Sequence, residues 1–274
     1  MNLHNFTSDN FQKSDFVEAI EKHGYVVVEN VLTNSFCNKM IGELKRAIDA
    51  EAAFHGTANY MGYGMLLACP IYGGSFLEVL ENRALIVPFN WILGDTCIIY
   101  VYTSSSMPPN DCNYSTRIHV DRPQFIPGYI EALGCLVLLD DFTEENGATW
   151  VLRGSHTQKE KPDEDYFYKH AERIIAPRGS VFYFHQRLWH AGGENKTSKW
   201  RHSLGIGMVR AHLKQRIDLP RALEKSKTDL STVSDYGLQK LGFFSQPPCS
   251  LEEFHLPPDK RTYRQKSEWE NKDA

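Results

Sequence analysis

The sequence predicts a mainly β fold with α: a double-stranded β-helix of the jelly-roll, cupin-like kind, with helices packed at its N-terminal side. Three observations point there. Short apolar stretches recur at close spacing between residues 96 and 210. Turn signals separate most of them, among them Pro108-Pro109-Asn110, Glu145-Asn146-Gly147, Pro177-Arg178-Gly179 and Gly192-Gly193. Little helical periodicity intervenes, and many short strands without helices between them form sandwiches or barrels.

Taken in order, residues 15–23 carry a helical period and stop at Gly24, which is free to take the left-handed cap conformation. Tyr25-Val26-Val27-Val28-Glu29 reads as a short strand. Thr33 or Asn34 caps a second helix to about residue 54, with Phe36, Met40, Ile41, Leu44 and Ile48 along one face. The stretch 56–75 is rich in Gly, Tyr and Met without a period, and is either a surface loop or a cover over a pocket. Residues 76–93 are helical in part, kinked at Pro88 and ended at Gly94. Strands are expected at 96–102, 114–120, 130–139, 148–152, 174–175, 180–184, 188–191 and 200–210. From 218 the tail is helical and polar, with one apolar segment near 236–244. The expectation is a single domain over 1–274: a helical part to about 94, a β core over about 95–212, and a tail over 213–274.

Bulk properties exclude several roles. A net charge of −4 gives no electrostatic footprint for nucleic acid or an anionic membrane. No apolar run approaches a transmembrane span, and the first residues lack the basic and apolar regions of a signal peptide. The six cysteines show no Cys-x-x-Cys and no zinc spacing, as expected of reduced thiols in the cytoplasm. The expected partner is a small-molecule substrate; the sequence does not disclose the oligomeric state.

The chemistry centres on Arg117-Ile118-His119-Val120-Asp121-Arg122-Pro123. On an extended chain, residues i and i+2 share a face, so His119 and Asp121 converge. With eleven histidines and 34 acidic residues, about one such pair arises by chance. A second, His170-Ala171-Glu172, lies in a charged stretch and reads as solvated. A metal site needs a third ligand from another strand, and His185 and His190 are available. His190 leads into a tight turn, after which Arg201 and Ser203 share a face of the next strand. A guanidinium fork beside a hydroxyl matches a carboxylate. His185 then reads as a packed histidine and His156 as a brace. Two histidines and one carboxylate leave metal positions open and suit non-haem Fe(II). A cupin-type hydrolase or isomerase with Zn²⁺ or Mn²⁺, and a non-catalytic binding or sensing protein on the same fold, remain open at this point.

Longer motifs carry a resemblance. Leu139-Asp-Asp-Phe-Thr-Glu-Glu-Asn-Gly-Ala-Thr-Trp-Val-Leu-Arg-Gly-Ser-His156 and Trp189-His190-Ala191-Gly192-Gly193-Glu194-Asn195 followed by Arg201 are the main ones. With these, the chain resembles the phytanoyl-CoA dioxygenase-like branch of the Fe(II)/2-oxoglutarate-dependent oxygenases from Gly24 to about Arg210. Arg153 stands where that family has proline, a departure that leaves the ligand positions untouched. The resemblance implies that His119, Asp121 and His190 hold Fe(II), and that O₂ takes an open position. It implies that Arg201, eleven residues past the distal histidine, grips the far carboxylate of the cosubstrate 2-oxoglutarate with Ser203. Tyr102 and Thr149 line that pocket or belong to the core. Decarboxylation of 2-oxoglutarate to succinate and CO₂ would accompany hydroxylation of a small organic molecule. Related halogenases carry a small residue where this chain has Asp121, which favours hydroxylation or desaturation over halogenation. For the substrate, the candidates are Arg122, which meets an anionic group or forms a surface salt bridge, with Tyr60 and Tyr63. The expected covers are 56–75, 104–114 and 157–170.

Overall fold

The structure, a computed structural model, describes residues 5–55, 62–257 and 260–261. The strands are β1 (Asn5–Thr7), β2 (Tyr25–Glu29), β3 (Ile98–Ser104), β4 (Ala132–Leu138), β5 (Trp150–Val151), β6 (Glu172–Arg173), β7 (Val181–His185), β8 (His190–Ala191) and β9 (Ser203–Val209). The α-helices are α1 (Lys13–His23), α2 (Asn34–His55), α3 (Ser75–Glu78), α4 (Arg83–Leu93), α5 (Glu164–His170), α6 (Leu219–Ser226), α7 (Asp235–Leu241) and α8 (Leu251–Phe254). The fold is thus mixed: α1–α4 precede β3, α6–α8 follow β9, and α5 is inserted between β5 and β6.

The larger sheet runs β1-β2-β7-β4-β9-β3, and the smaller runs β6-β5-β8. A single antiparallel bridge between His119 and His190 extends the smaller sheet by one segment. Side-chain alternation explains how the central strands can be apolar throughout. Val26 and Val28 of β2 and Val181 and Tyr183 of β7 face a core shared with Phe16, Met40 and Phe89 of the helices. Val27, Phe182 and Phe184 face the other way, against Phe142, Val151 and Ile174. Such strands are covered on both faces, the helices on one side and the smaller sheet on the other. Each large apolar side chain so buried contributes about 1.5–3 kcal/mol. Leu219, Leu223 and Leu241 of the tail join the helical-side core.

Local chemistry sets the helix ends much as expected. Gly24 takes φ 83° and its N–H returns to Ile20 O, closing α1. A side chain there would meet His156 Nδ1 at 2.5 Å, so the position requires glycine twice over. Thr33 Oγ1 accepts from Phe36 N–H and starts α2. In α4, Pro88 has no N–H to offer the Ala84 carbonyl four residues back. The buried Tyr183 hydroxyl lies 2.8 Å from Leu85 O and 3.4 Å from Ala84 O, supplying a donor where the helix lost one.

Several expected elements differ. Residues 114–120 are not a strand: Tyr114–Thr116 is one turn of 3₁₀ helix, and pairing survives only at His119. Asn113 causes this, because its side-chain oxygen accepts from the backbone N–H and the hydroxyl of Ser115. That local turn competes with a ladder. The strand placed at 174–175 lies two residues earlier, as β6, and pairs with β5. Glu172, read as solvated, accepts from the Tyr25 hydroxyl at 2.7 Å and from Arg153 at 2.9 and 3.1 Å. The loop expected across 157–170 contains α5, capped by Asp163. No helix among the described residues is long and apolar enough to cross a membrane.

Candidate metal centre

The site is built on the bridge between the smaller sheet and segment 117–121. His119 N–H donates to His190 O and His190 N–H to His119 O, both at 2.9 Å, which fixes the two backbones side by side. The ring centroids are 4.2 Å apart. Asp121 follows two residues on, and its N–H and that of Arg122 both donate to Gln186 O at 3.0 and 3.1 Å. The expected convergence of His119 and Asp121 therefore holds, carried by one bridge and one pinned turn rather than by a full strand.

The tautomers are set by the backbone. His119 Nδ1 donates to Arg117 O at 2.7 Å and His190 Nδ1 to Leu188 O at 2.9 Å. Both Nε2 lone pairs are thereby left free, and they face Asp121 Oδ1 at 3.6 and 3.8 Å. These separations are too long for hydrogen bonds, yet the three donor atoms lie within 4.8 Å of one another. Burial, then the neighbouring His190, pulls His119 down to about 4, with Asp121 acting in the opposite direction. Two imidazoles with locked Nδ1–H groups and a carboxylate between them are a donor set suited to a divalent cation.

The triad lines a cavity of about 530 Å³ between the sheets. Gly134, Gly205 and Gly207 form part of its wall, where side chains would fill the space, and Leu136, Phe182 and Phe184 make an apolar side. A Cβ on Gly207 would meet Gln186 Nε2 at 2.6 Å.

Arg201 and Ser203 are brought together as expected, though on a different acceptor. Arg201 Nη2 and Ser203 Oγ both donate to Ser105 O at 2.8 Å, and Arg201 Nη1 donates to Gly147 O at 2.9 Å. The guanidinium is 2% exposed, lies 4.2 Å from the Phe142 ring centroid, and has an unpartnered buried Nε. Burial pulls it down to about 10, against the field of Asp140. Asp140 itself is held by His202, whose Nδ1 and backbone N–H lie 2.7 and 2.8 Å from its Oδ2. Burial alone would raise that carboxyl, but these bonds take it below the usual carboxylate range.

Other expected residues are placed differently. Tyr102 faces the helical-side core with its hydroxyl buried and unpartnered. The reason is a β-bulge: Ile99 pairs with Met208 and Val101 with Gly207, so Tyr100 is an extra residue that reverses the alternation. Thr103 and Ser105 consequently line the cavity instead. Thr149 is buried before β5, its carbonyl accepting from Ile174 N–H, and is not among the described lining residues. Arg122 pairs with Glu131 at 2.6 Å and does not line the cavity, so of its two readings the structure has the salt bridge. Tyr63 packs edge-on against Trp200 at 5.1 Å, away from the lining, while Met65 and Leu67 reach it. Tyr60 lies outside the described residues. His185 is a packed histidine whose Nδ1 accepts from Arg187 N–H, and His156 braces α1 through Glu21 O. Sequence reasoning missed Gln186, Arg117 and Arg216 as lining residues. Gln186, lying between the two histidines considered as ligands, was the one with a positional signal.

The comparisons agree with this geometry. The family model for phytanoyl-CoA dioxygenase matches residues 93–203, a stretch containing all three donor residues and Arg201. The uncharacterised protein Mb1539 of Mycobacterium bovis is 31% identical over 255 residues, covering 90% of this chain and 93% of that protein. The dioxygenase trt7 of Aspergillus terreus is 34% identical over 106 residues, 36% of each chain. Among solved structures, the non-heme monooxygenase ThoJ in its nickel complex superposes with a TM-score of 0.61 at 20% identity, covering 74% of this chain and 80% of that one. The α-ketoglutarate-dependent epimerase SnoN from nogalamycin biosynthesis gives 0.57 at 19%, covering 73% and 83%. This chain belongs to the phytanoyl-CoA dioxygenase family.

Proposed function

We propose that this protein is an Fe(II)- and 2-oxoglutarate-dependent dioxygenase that hydroxylates a small organic molecule, with its two facing sheets forming a double-stranded β-helix. The observation that carries the reading is the set of three free donor atoms on His119, Asp121 and His190, with both Nδ1 protons fixed by backbone carbonyls. When bound, iron with 2-oxoglutarate and O₂ supplies the oxidising step, releasing succinate and CO₂. The chain supplies the rest. Arg117 O and Leu188 O orient the two imidazoles, and Gln186 O fixes the turn bearing Asp121. The apolar wall of Leu136, Phe182 and Phe184 limits water beside the site.

Arg201 receives the far carboxylate of 2-oxoglutarate in this reading. It is a buried cation with no carboxylate at ion-pair distance among the described residues and with an unpartnered Nε. The Ser105 carbonyl, held by both Arg201 and Ser203, is the acceptor that an incoming carboxylate displaces. Ser105 lines the cavity, so that exchange takes place at its wall. Cys37, Cys69, Cys97 and Cys135 are buried free thiols, which fits a reducing, cytoplasmic setting.

The test is anaerobic addition of Fe(II) and 2-oxoglutarate, followed by O₂ and a substrate library. A visible charge-transfer band and substrate-triggered succinate release are expected. Bound zinc, hydrolytic activity and no 2-oxoglutarate binding would sink this reading in favour of a cupin-type hydrolase.

A further inference from the structure

Two arginines line the cavity that contains the metal ligands, and neither has an acid to pair with. Arg117 lies two residues before His119 and Arg216 follows β9, its N–H donating to Tyr100 O. Both are exposed. Among the described residues, neither guanidinium has an ion pair or hydrogen-bond partner; that of Arg117 lies 5.5 Å from the Tyr114 ring. Several other arginines of the molecule are tied down. Arg122 and Arg153 have Glu131 and Glu172, while Arg187 and Arg210 bond to backbone carbonyls.

The charge balance of the cavity follows. Asp121 is its one lining carboxylate among the described residues, and that group is committed to the metal position. With Fe(II) and the 2-oxoglutarate dianion both bound, the two guanidiniums would still leave the cavity net positive, inside a chain whose net charge is −4. A concave, partly apolar site of one sign concentrates ligands of the other. Part of the remaining wall is apolar or aromatic, with Met65, Leu67, Tyr100 and Tyr114, and part is polar, with Thr103, Ser105, Ser115 and Gln186.

We infer that the substrate is an amphipathic organic anion, a carboxylate or phosphate on an apolar body, whose charged end Arg117 and Arg216 receive while the body lies along the apolar wall toward the metal ligands. Arginine forks suit either oxyanion. The inference rests on the oxygenase reading of the same site.

The test uses full-length protein loaded anaerobically with Fe(II) and 2-oxoglutarate. The probes are matched pairs: octanoate against methyl octanoate, phenylacetate against its methyl ester, and octyl phosphate against octanol. Binding is read from the change in the charge-transfer band and from the melting temperature. At least one anion is expected to bind about 10- to 100-fold more tightly than its neutral partner, the worth of a charged hydrogen bond. That preference should fall to about threefold or less in R117Q/R216Q, where only exposed side chains change. Which pair shows the larger preference distinguishes carboxylate from phosphate. Three results overturn the inference: no anion preferred, a preference that survives in the double variant, or a variant that loses 2-oxoglutarate instead. Absence of the band in the wild type is a different failure, that of the oxygenase reading itself.

Discussion

Two pairs of histidines lie close together in this molecule, and only one resembles a metal site. His119 and His190 have ring centroids 4.2 Å apart; His156 and His185 are 5.2 Å apart. Burial is the main cause that brings both His119 and His185 down to about 4. Proximity and a depressed pKa therefore do not separate them. What does is where the nitrogens point. In the first pair each Nδ1 is spent on a carbonyl two residues back, leaving both Nε2 atoms facing Asp121. In the second, His156 Nε2 donates to Glu21 O, His185 Nδ1 accepts from Arg187 N–H, and among the described residues no carboxylate completes a donor set. Free lone pairs converging with an acid identify a site; buried imidazoles alone identify packing.

The largest expected effect breaks the comparison directly. His119→Ala or His190→Ala should abolish stoichiometric Fe(II) binding and reduce succinate formation by about 10²- to 10³-fold or more, the scale for a group the chemistry cannot replace. His185→Gln should retain iron and most activity. Equal loss of metal in His185→Gln, measured by metal analysis of anaerobically purified protein, would end the distinction.

Next in size is Arg201→Gln. The variant removes the fork that holds Ser105 O and Gly147 O and the stacking on Phe142. The KM for 2-oxoglutarate should rise about 10- to 100-fold while iron still binds, with a stability loss of about 1–3 kcal/mol for acceptors left unpaired. An unchanged KM with only a lowered melting temperature would make Arg201 a structural residue.

A smaller effect concerns acid. A histidine whose folded pKa lies below its unfolded value takes up protons more readily when unfolded, so its stability contribution is complete above about pH 6.5 and declines as pH falls toward 4. For His185 that decline is of the order of 1–3 kcal/mol. His185→Gln should therefore flatten the melting-temperature profile between pH 6.5 and 4, and loading with a divalent metal should leave this part unchanged. His119 declines in the same direction, but its part does respond to metal, since protons and metal compete for its Nε2. A profile that metal shifts equally in wild type and His119→Ala would contradict the assignment of the two pairs.

The sequence was informative where the physics is local. The cap at Gly24 and the start of α2 at Thr33 depend on neighbours in the chain, and both are present, whereas Pro88, expected to kink its helix, lies inside a continuous α4. The convergence of His119, Asp121 and His190 was legible because the first two are two residues apart and His190 has Arg201 beyond it. The phase of β3 was not. One extra residue at Tyr100 reverses every later side chain, so Tyr102 goes to the core while Thr103 and Ser105 face the cavity. A bulge needs its partner strand to be seen, and nothing in 98–104 alone announces it. Arg117 and Arg216 lie far apart in the chain and come to line one cavity only through the fold, whereas Arg122, next to Asp121, is taken up by Glu131.

The smallest prediction asks whether an unpartnered buried polar atom is enough to mark a site. Arg201 Nε and the Tyr102 hydroxyl are both such atoms. Arg201 adds its charge, its position behind Ser105 and the absence, among the described residues, of a carboxylate at ion-pair distance. Tyr102 has none of these; it is 1% exposed and packed in the helical-side core, where burial drives its phenol well above the usual range. Tyr102→Phe removes only the hydroxyl, a group that costs free energy when buried without a partner. Stability by chemical denaturation should be unchanged or higher by about 1 kcal/mol, and the KM for 2-oxoglutarate should not move. A raised KM at unchanged stability would return Tyr102 to the cosubstrate pocket and place the bulge at Tyr100 in question.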